Sequence, residues 1–412
     1  MEPAAERVVI LNDFSVARGG ATTLALTLAR MLAQRGIPVT YFTGDTAEEP
    51  VGDGVDVVAV GSQSLLKRGA LRAAGTGLYN RPAARLLREW IEAHDTPSTI
   101  YHVHGWSQII SPSVFGALAQ VGNRVVIHAH DYFLACPNGV YYDFRAGENC
   151  ARKPLGASCI LRNCDKRSYS HKLFRTARGA SLVHNIGPLK DRSQIIVLHD
   201  KMRPLLARSG YHGAIHTVSN PATPFTDGPV DAARNTAFFY VGQLLSYKGI
   251  LEFAEAVHRT GVEAEILGTG EEADRLPALC PTAKLHGWTS RADLAQILTR
   301  SRAIVVPSRG MESYGMVVAE AVTSGIPVII SDAMNLADEV TTRGMGISFR
   351  AGDAASLAQV LTRVQADDAL VQGMGEAASR RGWEITLTLD RWVDSICGVY
   401  GQALRAGHGD SR

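Results

Sequence analysis

Short apolar runs alternate with amphipathic stretches from the start of the chain. Residues 7–11 consist of Arg7 and four apolar residues, and a loop follows them. Residues 21–34 carry Leu24, Leu28, Met31 and Leu32 on one helical stripe before the next apolar run begins at Val39. Because short apolar runs favour buried strands and a 3.6-residue period favours a helix, this order predicts a βαβ unit. Further apolar runs continue the alternation at residues 56–60, 99–103, 124–128, 194–198 and 215–218.

The alternation begins again after residues 221–235, a stretch with proline and aspartate that predicts a linker. The sequence therefore predicts an α/β protein with two doubly wound domains, residues 1–220 and 221–382, followed by a helical segment at 383–412. In the second domain, strands are predicted at 236–240, 263–267 and 303–306, and helices at 250–260, 291–300 and 314–323.

Composition agrees with two ordinary globular domains. The 412 residues exceed the usual size of a single core, and 46% of them are hydrophobic and 20% charged. A net charge of +2 argues against a nucleic-acid partner. No apolar run approaches the roughly 20 residues of a membrane span, and Met1-Glu2-Pro3 leads into a strand rather than a secretion signal. We therefore expect a cytoplasmic protein.

Two carboxylates flank a predicted junction between a loop and a helix. Glu312 follows the apolar run 303–306, and Glu320 lies inside the predicted helix 314–323. Because the first N–H groups of a helix lack partners within it, anionic oxygen is favoured there. The alternative is that both glutamates are ordinary surface charges. The N–H groups predicted to bind a diphosphate are those of Ser313, Tyr314, Gly315 and Met316.

This segment resembles the signature of glycosyltransferase family 4, two glutamates separated by seven residues. Members of that family are retaining sugar-nucleotide transferases with the GT-B fold. The resemblance implies two Rossmann-like domains that face a central cleft, with a C-terminal helix that crosses back to the first domain. It also implies that Glu312 faces the donor sugar and that Glu320 binds the nucleotide ribose.

Other residues of the second domain resemble the family less completely. Lys248 lies where the family has the lysine of a basic pair that contacts the donor diphosphate, but Gln243 replaces the usual arginine. Either Gln243 donates a neutral hydrogen bond or another group supplies the missing charge. Gly268 lies in a turn where the family's backbone approaches the nucleotide, and Trp288 lies near the position of the nucleobase. The alternatives are that Lys248 is a solvated loop lysine, that Gly268 lies in a simple turn without a ligand, and that Trp288 is a core residue.

The first domain offers a glycine pair and two histidine pairs. Gly19 and Gly20 precede a helix, and the resemblance assigns their N–H groups to the donor phosphates; the alternative is a glycine pair that merely leads a helix. His130 matches the family residue that contacts the reacting sugar, whereas His128 is interpreted as a satisfied core histidine. His104 is expected on the acceptor side, and a structural role is the alternative.

A basic, cysteine-bearing insertion is predicted at about residues 132–178. Between residues 145 and 178 there are nine Lys or Arg and two Asp or Glu. In a cytoplasmic protein, clustered cysteines favour a structural zinc ion over disulfides, although a C-x-x-C pair is absent from this sequence. The basic excess is expected to contact an anionic membrane surface or a lipid diphosphate, or to be a solvated face. The candidate zinc ligands are Cys136, Cys150, Cys159 and Cys164.

Together these patterns predict a retaining glycosyltransferase that uses a UDP- or GDP-sugar donor and a saccharide or lipid-linked hydroxyl acceptor. Catalysis is expected without a metal cofactor, with Lys248, Glu312 and His130 as the catalytic residues. Cell-surface polysaccharide or glycolipid synthesis, at the inner face of the plasma membrane, is the implied setting. The alternatives are a GT-B sugar-nucleotide epimerase and an inactive binding subunit of a polysaccharide assembly complex.

Overall fold

The structure, a computed structural model, describes residues 5–64 and 75–409. The predicted start at Met1-Glu2-Pro3 and the last three residues of the segment 383–412 lie outside the described residues. The chain folds into two compact units. The first unit comprises Met1–Val140, Ala151–Val218 and Asp390–Arg412, and the second comprises Tyr141–Cys150 and Ser219–Leu389.

The first unit is built on a parallel sheet of seven strands. Its central strands are apolar and fully buried, which is the pattern expected where helices cover both faces of a sheet. Across the sheet the order is Val55–Ala59, Val39–Thr43, Arg7–Asn12, Thr99–Val103, Val125–Ala129, Gln194–Val197 and Ile215–Thr217. The helices are Gly20–Gln34, Arg81–His94, Ser113–Leu118, Ala157–Leu161, Tyr169–Ile186, Arg203–Ala207 and Leu389–Gly409, with 3-10 turns at Ala119–Arg124, Gly187–Leu189 and Asp200–Met202.

The second unit has a parallel sheet of six strands and a separate two-stranded antiparallel hairpin, Tyr142–Asp143 with Glu148–Asn149. Its strand order is Lys284–Gly287, Ala264–Leu267, Ala237–Val241, Ser301–Val306, Val328–Ser331 and Gly346–Phe349. The helices are Ile250–Thr260, Leu276–Leu279, Arg291–Leu298, Met316–Thr323, Ala337–Thr342, Ala354–Ala366 and Asp368–Arg381, with 3-10 turns at Ala232–Arg234, Ser246–Lys248, Ala273–Arg275 and Gly382–Glu384.

Three boundaries differ from the sequence predictions for identifiable reasons. The helix predicted to begin at residue 314 begins at Met316, because Gly315 has a left-handed backbone (φ 100°) that cannot continue an α-helix. The helical segment predicted at 383–404 is a 3-10 turn, a short connection and a helix from Leu389 to Gly409. The insertion predicted at 132–178 is also divided, since residues 141–150 pack within the second unit.

None of the helices in the described part of the chain combines the length and the apolar character that a bilayer crossing needs.

Candidate active site

The loop between strand Ser301–Val306 and helix Met316–Thr323 presents unpartnered N–H groups. Gly315 is the N-cap residue, and no side chain caps the helix. Among the described residues, the N–H groups from Ser313 to Met316 donate to no protein acceptor. A Cβ at residue 315 would lie 2.9 Å from Met334 Cε, so glycine suits both the backbone angle and the space. This helix start can therefore receive an anionic ligand.

Glu312 lies in the same loop and forms an ion pair with Lys248. The Lys248 Nζ is 2.8 Å from the Glu312 carboxylate, and the Ser308 hydroxyl also donates to it. Burial by itself raises the pKa of Glu312, but the attraction of Lys248 and the two hydrogen bonds outweigh it and lower the pKa. Burial by itself lowers the pKa of Lys248, but the attraction of Glu312 outweighs it and raises the pKa. Both groups are therefore held in their charged forms.

A glycine allows the loop that carries Lys248 to lie close to the carboxyl end of strand Ser301–Val306. Gly249 has a left-handed backbone (φ 75°), and a Cβ there would collide with the Pro307 carbonyl oxygen. The neighbouring Arg309 N–H donates to the Tyr247 carbonyl at 2.9 Å, which ties the two loops together. Arg309 was not singled out from the sequence, and its guanidinium is paired with the buried Glu252.

Glu320 lies inside the helix, as predicted, and its partner is Arg291. The Arg291 Nη1 is 2.8 Å from the carboxylate, and the same guanidinium donates to the Thr223 and Pro224 carbonyls and lies 4.9 Å from the Phe225 ring centroid. Burial raises the pKa of Glu320, and Arg291 counteracts it only partly. Arg291 was missed from the sequence. The available signal was its position at the start of the predicted helix 291–300.

The remaining second-unit candidates lie at strand ends. Gln243 is exposed, and its carbonyl accepts a 2.7 Å hydrogen bond from the Tyr240 hydroxyl. At Gly268 (φ 150°) a Cβ would collide with the Gly242 carbonyl, so glycine is required there for packing whether or not a ligand binds. Trp288 is 78% exposed, so its interpretation as a core residue is wrong.

In the first unit, the predicted glycine pair begins a long helix. Gly19 (φ 93°) is the N-cap residue of helix Gly20–Gln34, and no side chain caps it. Nothing lies within 4 Å of a Cβ added to either glycine, so the helix start is open. Its first turn contains no acidic residue, which leaves the positive end of the helix dipole unopposed by a local carboxylate.

The predicted histidines His104 and His130 are in direct contact. His104 Nδ1 lies 2.9 Å from His130 Nε2, and His130 stacks on His128 with ring centroids 4.1 Å apart. Burial lowers the pKa of His130 to about 3, so its ring is neutral near pH 7. His128 is 2% exposed, but neither ring nitrogen has a hydrogen-bond partner among the described residues. It is buried as predicted, but the interpretation of a satisfied core histidine is wrong.

A cavity of about 100 Å³ borders these histidines within the first unit. Asp13 lies in its wall and accepts 2.8 Å hydrogen bonds from three consecutive N–H groups, at residues 108–110. Burial raises the pKa of Asp13 although these hydrogen bonds oppose it. This carboxylate was missed from the sequence, since an aspartate after a strand carries no signal of its own. Further lining residues include Arg18, His104, His128, His130, Asp131 and Phe133.

Two of the four predicted zinc ligands share a buried lysine. Lys172 is 1% exposed, and its Nζ lies 3.3 Å from Cys159 Sγ. Burial disfavours its charge, but Cys164 and Cys159 raise its pKa. Cys136 is also buried in the first unit, whereas Cys150 belongs to the segment assigned to the second. That the four cysteines bind a structural zinc ion stays a prediction. The interpretation of the basic excess as one solvated face is wrong for Lys172.

The architecture corresponds to that of solved glycosyltransferase structures. Sucrose-phosphate synthase from Thermosynechococcus elongatus aligns with a TM-score of 0.71 at 17% identity, over 97% of this chain and 100% of that one. Anabaena HepE in complex with UDP-glucose aligns with a TM-score of 0.64 at 14% identity, over 96% and 99%. This likeness defines the class of protein: the chain has the GT-B fold of glycosyltransferases, as predicted.

Sequence comparison then gives the family. Residues 18–222 match the model "Glycosyltransferase Family 4" and residues 231–381 match "Glycosyl transferases group 1". D-inositol 3-phosphate glycosyltransferase 1 of Catenulispora acidiphila is 32% identical over 95% of this chain and 92% of its own length. The chain therefore belongs to glycosyltransferase family 4. Glycogen synthase of Mycobacterium tuberculosis is 29% identical, but this match spans only 34% of the chain and 37% of that relative.

Proposed function

We propose that this glycosyltransferase moves a hexose from a nucleoside diphosphate to a hydroxyl acceptor with retention of the anomeric configuration. The observation that carries the proposal is the Lys248–Glu312 ion pair, 2.8 Å long, beside the unpartnered N–H groups of Ser313 to Met316. A cation and several N–H donors in one loop region suit the diphosphate that departs when the glycosidic bond to the donor breaks.

Lys248 and the helix start have complementary roles in this mechanism. An ammonium has three N–H donors, so Lys248 can hold Glu312 with one and a phosphate oxygen with another. The N–H groups of the loop add dipoles that need no rearrangement as negative charge develops on the leaving group. Electrostatic stabilisation of this kind requires no divalent metal, and each such donor is worth on the order of 10² to 10³ in rate.

Retention follows if the acceptor attacks from the face that the diphosphate leaves. A phosphate oxygen of the leaving group can then take the acceptor's proton, so the protein need not supply a general base. In the second unit, Glu312 is proposed to position the donor sugar and Glu320 the ribose. In the first unit, His130 is proposed to contact the reacting sugar, and its neutral ring can donate or accept one hydrogen bond there.

The donor is proposed to be a UDP- or GDP-sugar. Solved structures of HepE contain UDP, UDP with glucose, and UDP-glucose, which supports testing uridine nucleotides first. The acceptor is proposed to be a saccharide or a lipid-linked hydroxyl compound. The name of the C. acidiphila relative adds an inositol phosphate to the acceptors worth testing. The proposed setting is the synthesis of cell-surface polysaccharides or glycolipids at the inner face of the plasma membrane.

Incubation of the purified chain with labelled UDP- and GDP-sugars, each with a panel of acceptors, tests the proposal. We expect transfer from one donor class, with the anomeric configuration of the donor preserved in the product by NMR. Inversion of the anomeric centre would contradict the retaining mechanism. Conversion of the donor to an isomer without acceptor would favour the epimerase alternative, and neither hydrolysis nor transfer of any donor would favour an inactive binding subunit.

A further inference from the structure

Three buried imidazoles converge in the first unit without any assigned role as a set. His102, His104 and His128 are 0%, 5% and 2% exposed. They lie on or directly after two neighbouring parallel strands, Thr99–Val103 and Val125–Ala129, at the carboxyl ends. Each histidine contributes one ring nitrogen, and these three nitrogens all lie within 4.8 Å of one another. The topology of the sheet therefore collects three nitrogen ligands at one point.

Four nitrogens of these three rings have no hydrogen-bond partners among the described residues. Among the described residues, Nε2 of His102, Nε2 of His104 and both nitrogens of His128 are buried without a donor or an acceptor. A proton on such a nitrogen has no acceptor, and a bare lone pair has no donor. Either state leaves a buried polar group unsatisfied, which destabilises the fold unless a ligand satisfies it.

The Nδ1 atoms of His102 and His104, in contrast, have partners. His102 Nδ1 lies 2.7 Å from the Tyr400 hydroxyl, and His104 Nδ1 lies 2.9 Å from His130 Nε2. If both Nδ1 atoms carry protons and donate to these partners, both Nε2 atoms have lone pairs that can bind an ion. A metal-ligating histidine usually donates its second nitrogen to a neighbouring acceptor in this way, which fixes the tautomer of the ring.

We propose that His102, His104 and His128 bind a divalent transition metal ion, with zinc as the expected ion. Three imidazoles from one protein and one further ligand make a common tetrahedral zinc site. Zinc–nitrogen bonds of about 2.1 Å require the three nitrogens, which lie within 4.8 Å of one another, to converge on one point. His104 and His128 also line the adjacent cavity, which gives a water molecule or a substrate oxygen access to the fourth position.

The ion would act on His130 through His104. With His104 Nε2 on the metal, its Nδ1 donates to His130, so His130 Nε2 accepts and the remaining His130 proton sits on Nδ1. The ion thereby makes His104 a positioning residue for the histidine proposed to contact the sugar. Only this consequence rests on the proposed function. Metal binding itself is measured without any substrate.

Cobalt substitution in the 412-residue chain tests the site. Because the cysteines are proposed to bind zinc separately, the parent for this experiment carries Cys159→Ser and Cys164→Ser. The metal-free chain is titrated with Co²⁺ and followed by visible absorption. We expect one Co²⁺ per chain with the d–d bands of a tetrahedral ion, no sulfur-to-cobalt charge transfer, and displacement by Zn²⁺.

Two variants and a control make the result specific. His128→Asn should abolish the cobalt spectrum, whereas His258→Asn, at an exposed helical histidine of the second unit, should preserve it. Tyr400→Phe, which removes only the partner of His102 Nδ1, should weaken Co²⁺ binding about 10- to 100-fold. Circular dichroism checks that each variant is folded. If His128→Asn does not fold, the Co²⁺ titrations of the parent and of Tyr400→Phe test the site instead.

The proposal is overturned if the folded parent binds no Co²⁺ or Zn²⁺ at a ratio of one per chain. It is equally overturned if folded His128→Asn keeps the parent's spectrum, because the Co²⁺ ion would then be bound without His128, at another site in the chain. Metal binding by an enzyme without transferase activity would support the site and count against the proposed function alone, so the two failures are distinguishable.

Discussion

The Lys248–Glu312 pair illustrates how a single contact serves both stability and chemistry. Each side chain is largely covered, with 25% and 19% of the side-chain surface exposed. Removal of either partner would leave the other charge poorly solvated, which is more costly than the loss of an exposed ion pair. Substitutions here must therefore be tested for folding before a rate is interpreted.

Lys248→Ala should lower kcat about 10²- to 10³-fold, because it removes the cation proposed to stabilise the departing diphosphate. Steady-state kinetics with saturating donor measures this effect. Lys284→Ala is the matched control, since that lysine is 63% exposed in the same unit and reaches Glu265 only at 4.0 Å. An unchanged kcat in folded Lys248→Ala would remove Lys248 from the mechanism.

Glu320→Ala should weaken donor binding about 10- to 100-fold with a smaller effect on kcat. The physical reason is that a hydrogen bond from the ribose to a carboxylate contributes about 1.5 to 3 kcal/mol. Isothermal titration with the donor nucleotide measures the change, and Glu255→Ala, in the exposed pair with Arg259, controls for loss of a surface carboxylate. Equal affinity in Glu320→Ala and the parent would contradict the ribose assignment.

At the scale of elements, the loops after the strands carry the strictest requirements. Gly249 combines a left-handed backbone with direct contact to the Pro307 carbonyl, and these two constraints place Lys248 beside Glu312. Glycine at such a position is needed for two reasons at once, and no rotamer change can relieve a clash with the backbone.

Gly249→Ala should therefore destabilise the second unit by at least ~1 to 3 kcal/mol and lower transferase activity, because the backbone must shift to admit the methyl group. Thermal and urea unfolding measure the first effect. Gly398→Ala is the matched control: Gly398 lies in helix Leu389–Gly409 with open space around it, so alanine should stabilise by about 0.5 to 1 kcal/mol. If Gly249→Ala unfolded like the parent, the close approach to Pro307 would not be needed.

Most strands could be predicted from sequence, because a buried parallel strand is a short apolar run. The run at residues 99–103 coincides with the strand Thr99–Val103. Exposed side chains do not always hide a strand, since Val55–Ala59 was predicted although several of its side chains are exposed, but some exposed strands were missed. Lys284–Gly287 is one example, since Lys284 and Leu285 at this edge of the sheet are both exposed and provide no apolar run.

The residues of the candidate site also differ in how well the sequence predicts them. Glu312 and Glu320 were found because a loop and a helix separate them at a fixed spacing. Arg291, the partner of Glu320, was harder to predict, because the two residues are 29 positions apart and only tertiary packing brings them together. The convergence of His102 and His128 likewise depends on two strands becoming neighbours, which neither local segment determines.

At the scale of the whole molecule, the two units differ in what they bury. The core of the second unit is a continuous cluster of apolar side chains. The first unit instead buries His102, His104 and His128 next to its apolar strands, and burial lowers the pKa of each well below 6.5. The two units should therefore respond differently to acid.

Mild acid should destabilise the first unit more than the second. Above pH 6.5 these histidines are neutral in both folded and unfolded chains and contribute nothing to the pH dependence. Below it, the unfolded chain binds protons that the folded chain does not, so each buried histidine lowers stability by roughly 1.4 kcal/mol per pH unit. Asp13 and Asp131, whose pKa values burial raises, act with the opposite sign, but they are fewer.

Hydrogen exchange at pH 7.5, 6.5 and 5.5, corrected for the intrinsic pH dependence of exchange, measures both units in one sample. Protection of Thr99–Val103 and Val125–Ala129 should fall as the pH drops, while that of Ala237–Val241 in the second unit should change less. Removal of zinc should leave the direction of this trend unchanged, because the rings are buried and neutral in either case. Equal changes in the two sheets would contradict the assignment of acid sensitivity to the buried histidines.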